Sequence, residues 1–186
     1  DKKKIFVWTS DISQNTGEGI LCRNFLNKIL SKNNKIIIQS LEKKFNLKKI
    51  TELKKLNLSQ INQSLFHKYL GPLIGILFCW INYFLGHKII YLNYLPFWNI
   101  PIFLFLPPGT VLGPITGSKY FGQINNFSAL IRKFIFPILY YLNSFILRFR
   151  FKKVIFSTNL LRDYLPNNRK FFFNFVLTFI KENKYR

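Results

Sequence analysis

The sequence predicts an α/β fold, a parallel sheet flanked by helices on both faces. Three observations carry this expectation. Four short apolar runs, Ile5-Phe6-Val7-Trp8, Ile36-Ile37-Ile38-Gln39, Ile89-Ile90-Tyr91-Leu92 and Val154-Ile155-Phe156-Ser157, each follow a lysine. Continuous runs of this kind suit strands buried on both faces. Segments of helical length separate them, and strands alternating with helices imply parallel pairing. Two strand-like runs also open onto glycine, one at Gly17-Glu18-Gly19 and one at Gly113-Pro114-Ile115-Thr116-Gly117.

The elements follow in chain order. A strand over 4–9 leads through a glycine loop, Gln14–Gly19, into a helix over 17–31. A strand at Lys35–Gln39 precedes a charged helical stretch over 47–58. Lys43–Lys55 holds six lysines, which reads as a solvated helix face. An apolar helix over 65–85 runs into a strand, His87–Leu92. Leu95–Asn99, with its proline and tryptophan, reads as a turn or a short helix. A strand at Ile102–Phe105 or at Val111-Leu112 then reaches the second glycine turn. A long helix over 127–149, a strand at Val154–Ser157 and a helix at Asn159–Tyr164 complete the layout. No internal repeat interrupts it, and 186 residues suit a single domain over 1–186.

Composition narrows the partners. The net charge is +21, an excess that attracts anions such as nucleic acid, acidic lipid or phosphorylated substrates. Lysine outnumbers arginine 21 to 7, a mixture that an AT-biased genome produces without selection for charge. The lysines are scattered and no RNA-binding aromatic signature is present, so nucleic acid is not the expected partner. Cys22 and Cys79 are far apart, show no metal spacing, and read as buried free thiols in a reducing cytosol.

Leu70–Leu85 is too short to span a bilayer, and Gly71, Pro72, Gly75 and Asn82 lie within it. Phe127–Phe149 is apolar nearly all round, but Pro137, Arg132, Lys133, Asn143 and Arg148 interrupt it. With Arg150, Lys152 and Lys153 these basic residues suit an anionic membrane surface. Core packing explains the same apolar pattern. A small integral membrane protein is the less favoured reading, because polar residues fall inside both segments.

Open α/β sheets bind ligands beyond the carboxyl ends of their strands, so the two glycine exits are the candidate site. Gly17 and Gly19 bring peptide N–H groups towards a phosphate, and the helix behind them adds partial positive charge. The loop is neither a Walker loop nor GxGxxG, since Cys22 holds the third glycine's place. Pro114 fixes its own φ and presses Gly113 away from helical angles. Thr116, Gly117 and Ser118 are small enough for a ligand to approach. Trp98 and Asn99, in Tyr94-Leu95-Pro96-Phe97-Trp98-Asn99, offer an aromatic face and an amide to a sugar. A tight turn into a helix and a simple turn are the other readings of the first two segments, and core packing that of the third, for Phe97 above all. Asp11 and Glu18 are the acids nearest this edge and can orient hydroxyls or assist proton transfer. His67 and His87 have no metal partner at helical spacing and read as structural or surface residues. No metal site and no catalytic constellation is expected.

Taken together, Gly17-Glu18-Gly19, Tyr94–Asn99, Pro107–Gly117 and Val154–Thr158 resemble the N-terminal half of GT-B glycosyltransferases. The nearest group is family 4, the "glycosyl transferases group 1". Thr116 stands where that group commonly has glycine. The resemblance implies a Rossmann-like acceptor-side domain, with a nucleotide sugar as donor substrate and no cofactor or metal. Gly17, Glu18 and Gly19 would border the donor phosphate. Trp98, Asn99, Gly113, Pro114, Thr116 and Gly117 would line the cleft for a glycan or lipid-linked acceptor. A C-terminal donor-binding domain is expected beyond Arg186, and the chain lacks an initial Met. The expectation is therefore a fragment, inactive alone, of a cytoplasmic enzyme peripheral on the inner face of the cell membrane. A basic nucleic-acid-binding protein and a small integral membrane protein are the alternatives.

Overall fold

The computed structural model describes residues 4–14, 17–30, 35–41, 44–55, 65–117, 126–151, 154–156, 159–165 and 171–173. It is a seven-stranded, mostly parallel sheet flanked by helices, a Rossmann-like α/β fold. The strands are β1 (Ile5–Trp8), β2 (Ile36–Gln39), β3 (Lys44–Leu47), β4 (Lys88–Pro96), β5 (Val111–Thr116), β6 (Val154–Phe156) and β7 (Phe171–Phe173). Their spatial order is β3-β2-β1-β4-β5-β6-β7. Only β3 is antiparallel to its neighbour.

All four residues of β1 are buried. Side chains alternate across a strand, so β1 feeds two cores. Ile5 and Val7 join Ile36, Ile38, Ile90 and Leu92 under α1 (Gly17–Leu30) and α2 (Ile50–Lys55). Phe6 and Trp8 join Ile89, Tyr91 and Leu112 on the opposite face. That face is covered by α3 (Leu65–Phe84), α4 (Ile100–Phe105) and α6 (Phe136–Arg150), the last preceded by a short α5 (Phe127–Leu130). Gly75 allows α3 to sit directly on Trp8, since a Cβ there would lie 2.3 Å from the indole nitrogen. Trp80 Nε1 donates to Phe105 O at 2.7 Å and joins α3 to α4. Arg150 Nη2 donates to Leu106 O at 2.8 Å and joins α6 to the end of α4.

Several sequence expectations need correction. The lysine-rich stretch Lys43–Lys55, read as one helix face, holds β3, which pairs with β2, and then the six-residue α2 within the helix expected over 47–58. Glu52 explains the break: its carboxylate accepts from Lys48 N at 2.7 Å and caps α2 from within its first turn. The same hydrogen bond is the first cause holding that carboxyl below its ordinary range. Ile102–Phe105 is helical and not a strand, because Pro101 suits the first turn of a helix and Ile102 and Phe103 turn inward as a helical pair. β4 continues through Asn93, Leu95 and Pro96, with a register shift against β5 between Leu92 and Leu95. β7 has no counterpart in the sequence reading.

The long helix runs from Phe127 to Arg150 through a π-helical stretch, Ile131–Ile135. Pro137 has no N–H for the carbonyl four residues back and its ring crowds that turn, so the turn widens without ending the helix.

The largest correction concerns Gly113-Pro114-Ile115-Thr116. These residues are strand β5 and not a turn; only Gly117 lies past its end. The Gly113–Pro114 peptide is cis. Gly113 has φ +150°, and a Cβ there would come within 2.8 Å of Ile155 Cβ on β6. Glycine is therefore needed for strand packing, with both steric and torsional reasons acting together. Gly113→Ala is expected to lower unfolding free energy by about 2 kcal/mol or more. Urea denaturation followed by far-UV circular dichroism measures this, while Gly109→Ala in the open turn before β5 should cost less.

Candidate functional site

The sheet reverses its winding at β1. β2 lies on one side of β1 and β4 on the other, both parallel to it. The connections leave the carboxyl ends of β1 and β4 towards opposite faces, α1 on one and α4 on the other. A crevice between them is the general ligand position of such sheets.

Polar residues collect at this edge although the strands below are apolar. Thr9, Asp11 and Ser13 follow β1, Gln39 and Ser40 end or follow β2, and Asn93 lies in β4; all are buried. Ser10 N donates to Asn93 Oδ1 at 2.7 Å, which ties the end of β1 to β4 across the switch point. Asp11 Oδ1 accepts from Ser13 N at 2.6 Å, and Thr9 Oγ1 donates to Asp11 O at 3.0 Å. These bonds hold the β1 exit in a tight fold. Asp11 is only 6% exposed, so its carboxylate braces the loop from within.

Arg23 fixes the same loop from α1. Its Nε donates to Ile12 O at 2.6 Å and an Nη donates to Leu53 O at 2.9 Å. Burial pulls its guanidinium below the ordinary range, and the neighbouring Cys22 and Asp11 oppose that pull.

Gly17, Glu18 and Gly19 form the first turn of α1 and not a free loop. Their predicted use of unusual backbone angles is thus corrected. Gly19 has another role: a Cβ there would lie 2.1 Å from Ser13 O and 2.5 Å from Ser13 N. The missing side chain lets α1 start against the backbone of the β1 exit. The α1 N-terminus consequently opens at the carboxyl edge of the sheet. Cys22 sits one turn on, buried at the helix–strand contact. The side chains of Gln14's successors Asn15 and Thr16, and of Glu18, lie outside the described residues.

The other predicted residues lie towards the carboxyl ends of β4 and β5, which run past the end of β1. β4 hands over to a turn in which Asn99 N donates to Pro96 O at 2.9 Å. Phe97 is fully buried, and its carbonyl accepts from Asn143 Nδ2 of α6. Trp98 is 42% exposed and stacks on Phe136 with ring centroids 5.9 Å apart. Asn99 is partly buried and makes no side-chain cap to α4. Phe97 N donates to Thr116 O at 2.8 Å, which aligns Trp98 with the end of β5. Thr116 and Gly117 are partly buried, and a Cβ at Gly117 would meet Leu161 at 2.7 Å. Gly113 and Pro114 are buried inside the strand and face the sheet's own packing. The end of β1 at Trp8 is level with Tyr91 of β4 and Leu112 of β5, and β5 runs on to Thr116. Ser118 lies outside the described residues.

The sequence reading missed Ser10, Ser13 and Asn93. One signal was present: Asn93 interrupts the apolar run Ile89–Leu92 before the strand is over. His87 lies at the opposite edge, just before β4, where its Nδ1 meets Asn82 Oδ1 at 2.9 Å. Burial lowers its basicity, assisted by Lys4 and Lys44. The side chain of His67 lies outside the described residues. Among the described residues, no group of three or more His, Cys, Asp or Glu gathers for a metal.

No family model, curated protein or solved structure matches the chain.

Two outcomes are expected. Asn93→Ala strips Ser10 N of its acceptor and should cost about 1–3 kcal/mol in chemical denaturation. Cys22 and Cys79 are both buried; burial pushes the Cys22 thiol from 9.0 up to about 12 and raises that of Cys79 as well. The folded state then holds these protons after the unfolded chain has released them. Stability is full below pH 9 and falls between pH 9 and about 12, on the order of 1 kcal/mol per pH unit for each thiol. Urea midpoints across this range, with Cys22→Ala and Cys79→Ala flattening the fall, provide the check.

Proposed function

We propose that this chain is the acceptor-side domain of a sugar-nucleotide-dependent glycosyltransferase of the GT-B type, as its sequence motifs resemble. One observation carries the reading. The carboxyl end of β1 is linked to β4 by Ser10 N and Asn93 Oδ1 at the reversal point of the sheet, and Trp98 is exposed in the turn that follows β4. The linked strands supply a rigid polar floor, and the indole supplies an apolar wall. That pairing suits a sugar, whose hydroxyls need hydrogen bonds and whose C–H faces stack on aromatic rings.

In this reading the acceptor lies against Trp98, Asn99, Thr116 and Gly117. The first turn of α1, at Gly17–Gly19, borders the phosphate of the nucleotide sugar, where the helix dipole favours negative charge. Gly113 and Pro114 hold β5 in place behind the cleft and do not touch the acceptor. A second lobe completes the cleft and carries the donor. The protein groups at this edge bind and orient; a side chain that moves the proton is not assigned.

Amide chemical-shift mapping tests the reading. Titration with glycan acceptors should move the amides of residues 10–14, 98–99 and 116–117, and Trp98→Ala should weaken binding about tenfold with the spectrum otherwise kept. A nucleotide sugar should perturb the amides of residues 17–19. Perturbation confined to the opposite edge, near His87 and Gly109, would remove the proposal. So would full sugar transfer by residues 1–186 alone.

A further inference from the structure

We propose that the outer face of the α3–α4–α6 layer lies in the plane of an anionic lipid leaflet. The layer covers one side of the sheet, and its outward surface carries large apolar side chains as well. The α6 helix turns Tyr140, Asn143, Ser144 and Leu147 inward. Its opposite stripe carries Phe145 and Phe149. On α3, Leu77, Ile81 and Phe84 point away from the buried Gly71, Gly75 and Cys79. Phe105 of α4 stands between the two helices. These six outward side chains are 56–79% exposed. Soluble surfaces rarely carry an apolar patch of this extent.

The patch is continuous. The bond from Trp80 Nε1 to Phe105 O sets the end of α3 against α4, and the bond from Arg150 Nη2 to Leu106 O sets the end of α6 there too. All three helices lead into parallel strands, so Phe84, Phe105 and Phe149 gather at the same edge of the sheet.

Charge selects the occupant. No Asp or Glu occurs between Glu52 and Asp163, so every charge in this layer is positive. Arg132, Lys133 and Arg148 are exposed on the helix that bears the patch. Lys133 Nζ lies 5.8 Å from the Phe134 ring centre, and Arg148 lies 5.9 Å from that of Phe149. Cations beside exposed rings place an apolar body in acyl chains and a charged tip among phosphates. A second copy of this face would meet only like charge.

The run Phe127–Arg150 is long and apolar enough to cross a bilayer. It does not cross in this arrangement, because Tyr140 and Leu147 are core residues and Asn143 Nδ2 donates to Phe97 O. It lies flat, with one stripe on the sheet and the other on lipid. Arg150 is bound to Leu106 and is not part of the lipid contact, and Lys152 and Lys153 lie outside the described residues.

The test is co-sedimentation of the full chain with phosphatidylcholine vesicles, with and without phosphatidylglycerol. Binding is expected to the anionic vesicles and to weaken about tenfold or more in the triple variant Phe84→Ser, Phe145→Ser, Phe149→Ser. The variant Arg132→Gln, Lys133→Gln, Arg148→Gln should lose the preference for phosphatidylglycerol. Should the serine variant not fold, brominated acyl chains read the wild type directly and should quench its tryptophan fluorescence. No sedimentation, no quenching, or wild-type binding by the folded serine variant overturns the proposal. A stable dimer that excludes vesicles and needs Phe145 and Phe149 overturns it in favour of a second copy.

Discussion

Burial of β1 on both faces is the constraint from which the rest of the molecule follows. A four-residue strand with no exposed side chain needs a neighbour on each edge and a helical layer on each face. β2 and β4 fill the edges. Ile5 and Val7 demand α1 on one face, while Phe6 and Trp8 demand α3 on the other. The chain therefore leaves β1 and β4 towards opposite sides, and the crevice between those exits is a consequence of packing.

The polar groups at that crevice solve a backbone problem first. Where the β1 ladder stops, its next N–H groups still need acceptors in a buried place. Asn93 and Asp11 provide them, to Ser10 and Ser13. Arg23 then satisfies the carbonyls of Ile12 and Leu53 from the helix side. The result is a stiff rim, and a stiff rim is what a ligand site requires. Structural need and binding capacity coincide here, because both call for fixed hydrogen-bonding groups near the ends of strands.

The two helical layers have different outer surfaces. Among the described side chains, Ile20 is the large apolar residue that α1 leaves exposed, whereas α3, α4 and α6 present several phenylalanines and leucines outward. Each of these helices is apolar on two opposite stripes, so the inner stripe alone satisfies the sheet. The outer stripe is left for another apolar phase, and the absence of acidic residues across the layer sets the sign of its surface. The candidate ligand edge and the greasy layer meet near Trp98 and Phe136, where the exposed indole stacks on the first turn of α6.

The sequence by itself determined the α/β class, the positions of β1, β2 and β6 and the long helices, because these depend on local runs of apolar residues and their periodicity. It also placed Gly17–Gly19 and Gly117 towards the carboxyl side of the sheet, since a strand that feeds a helix must end there. Tertiary structure decided what the glycines do. Gly19 is needed because Ser13, six residues earlier, folds back beneath it, and Gly113 because Ile155 of β6 presses on it. It also decided that Ile102–Phe105 is a helix, that Lys44–Leu47 is a strand, and that Asn93 faces Ser10. The roles of Gly113 and Asn93 rest on contacts between segments distant along the chain, and local pattern does not say which distant segment will meet them.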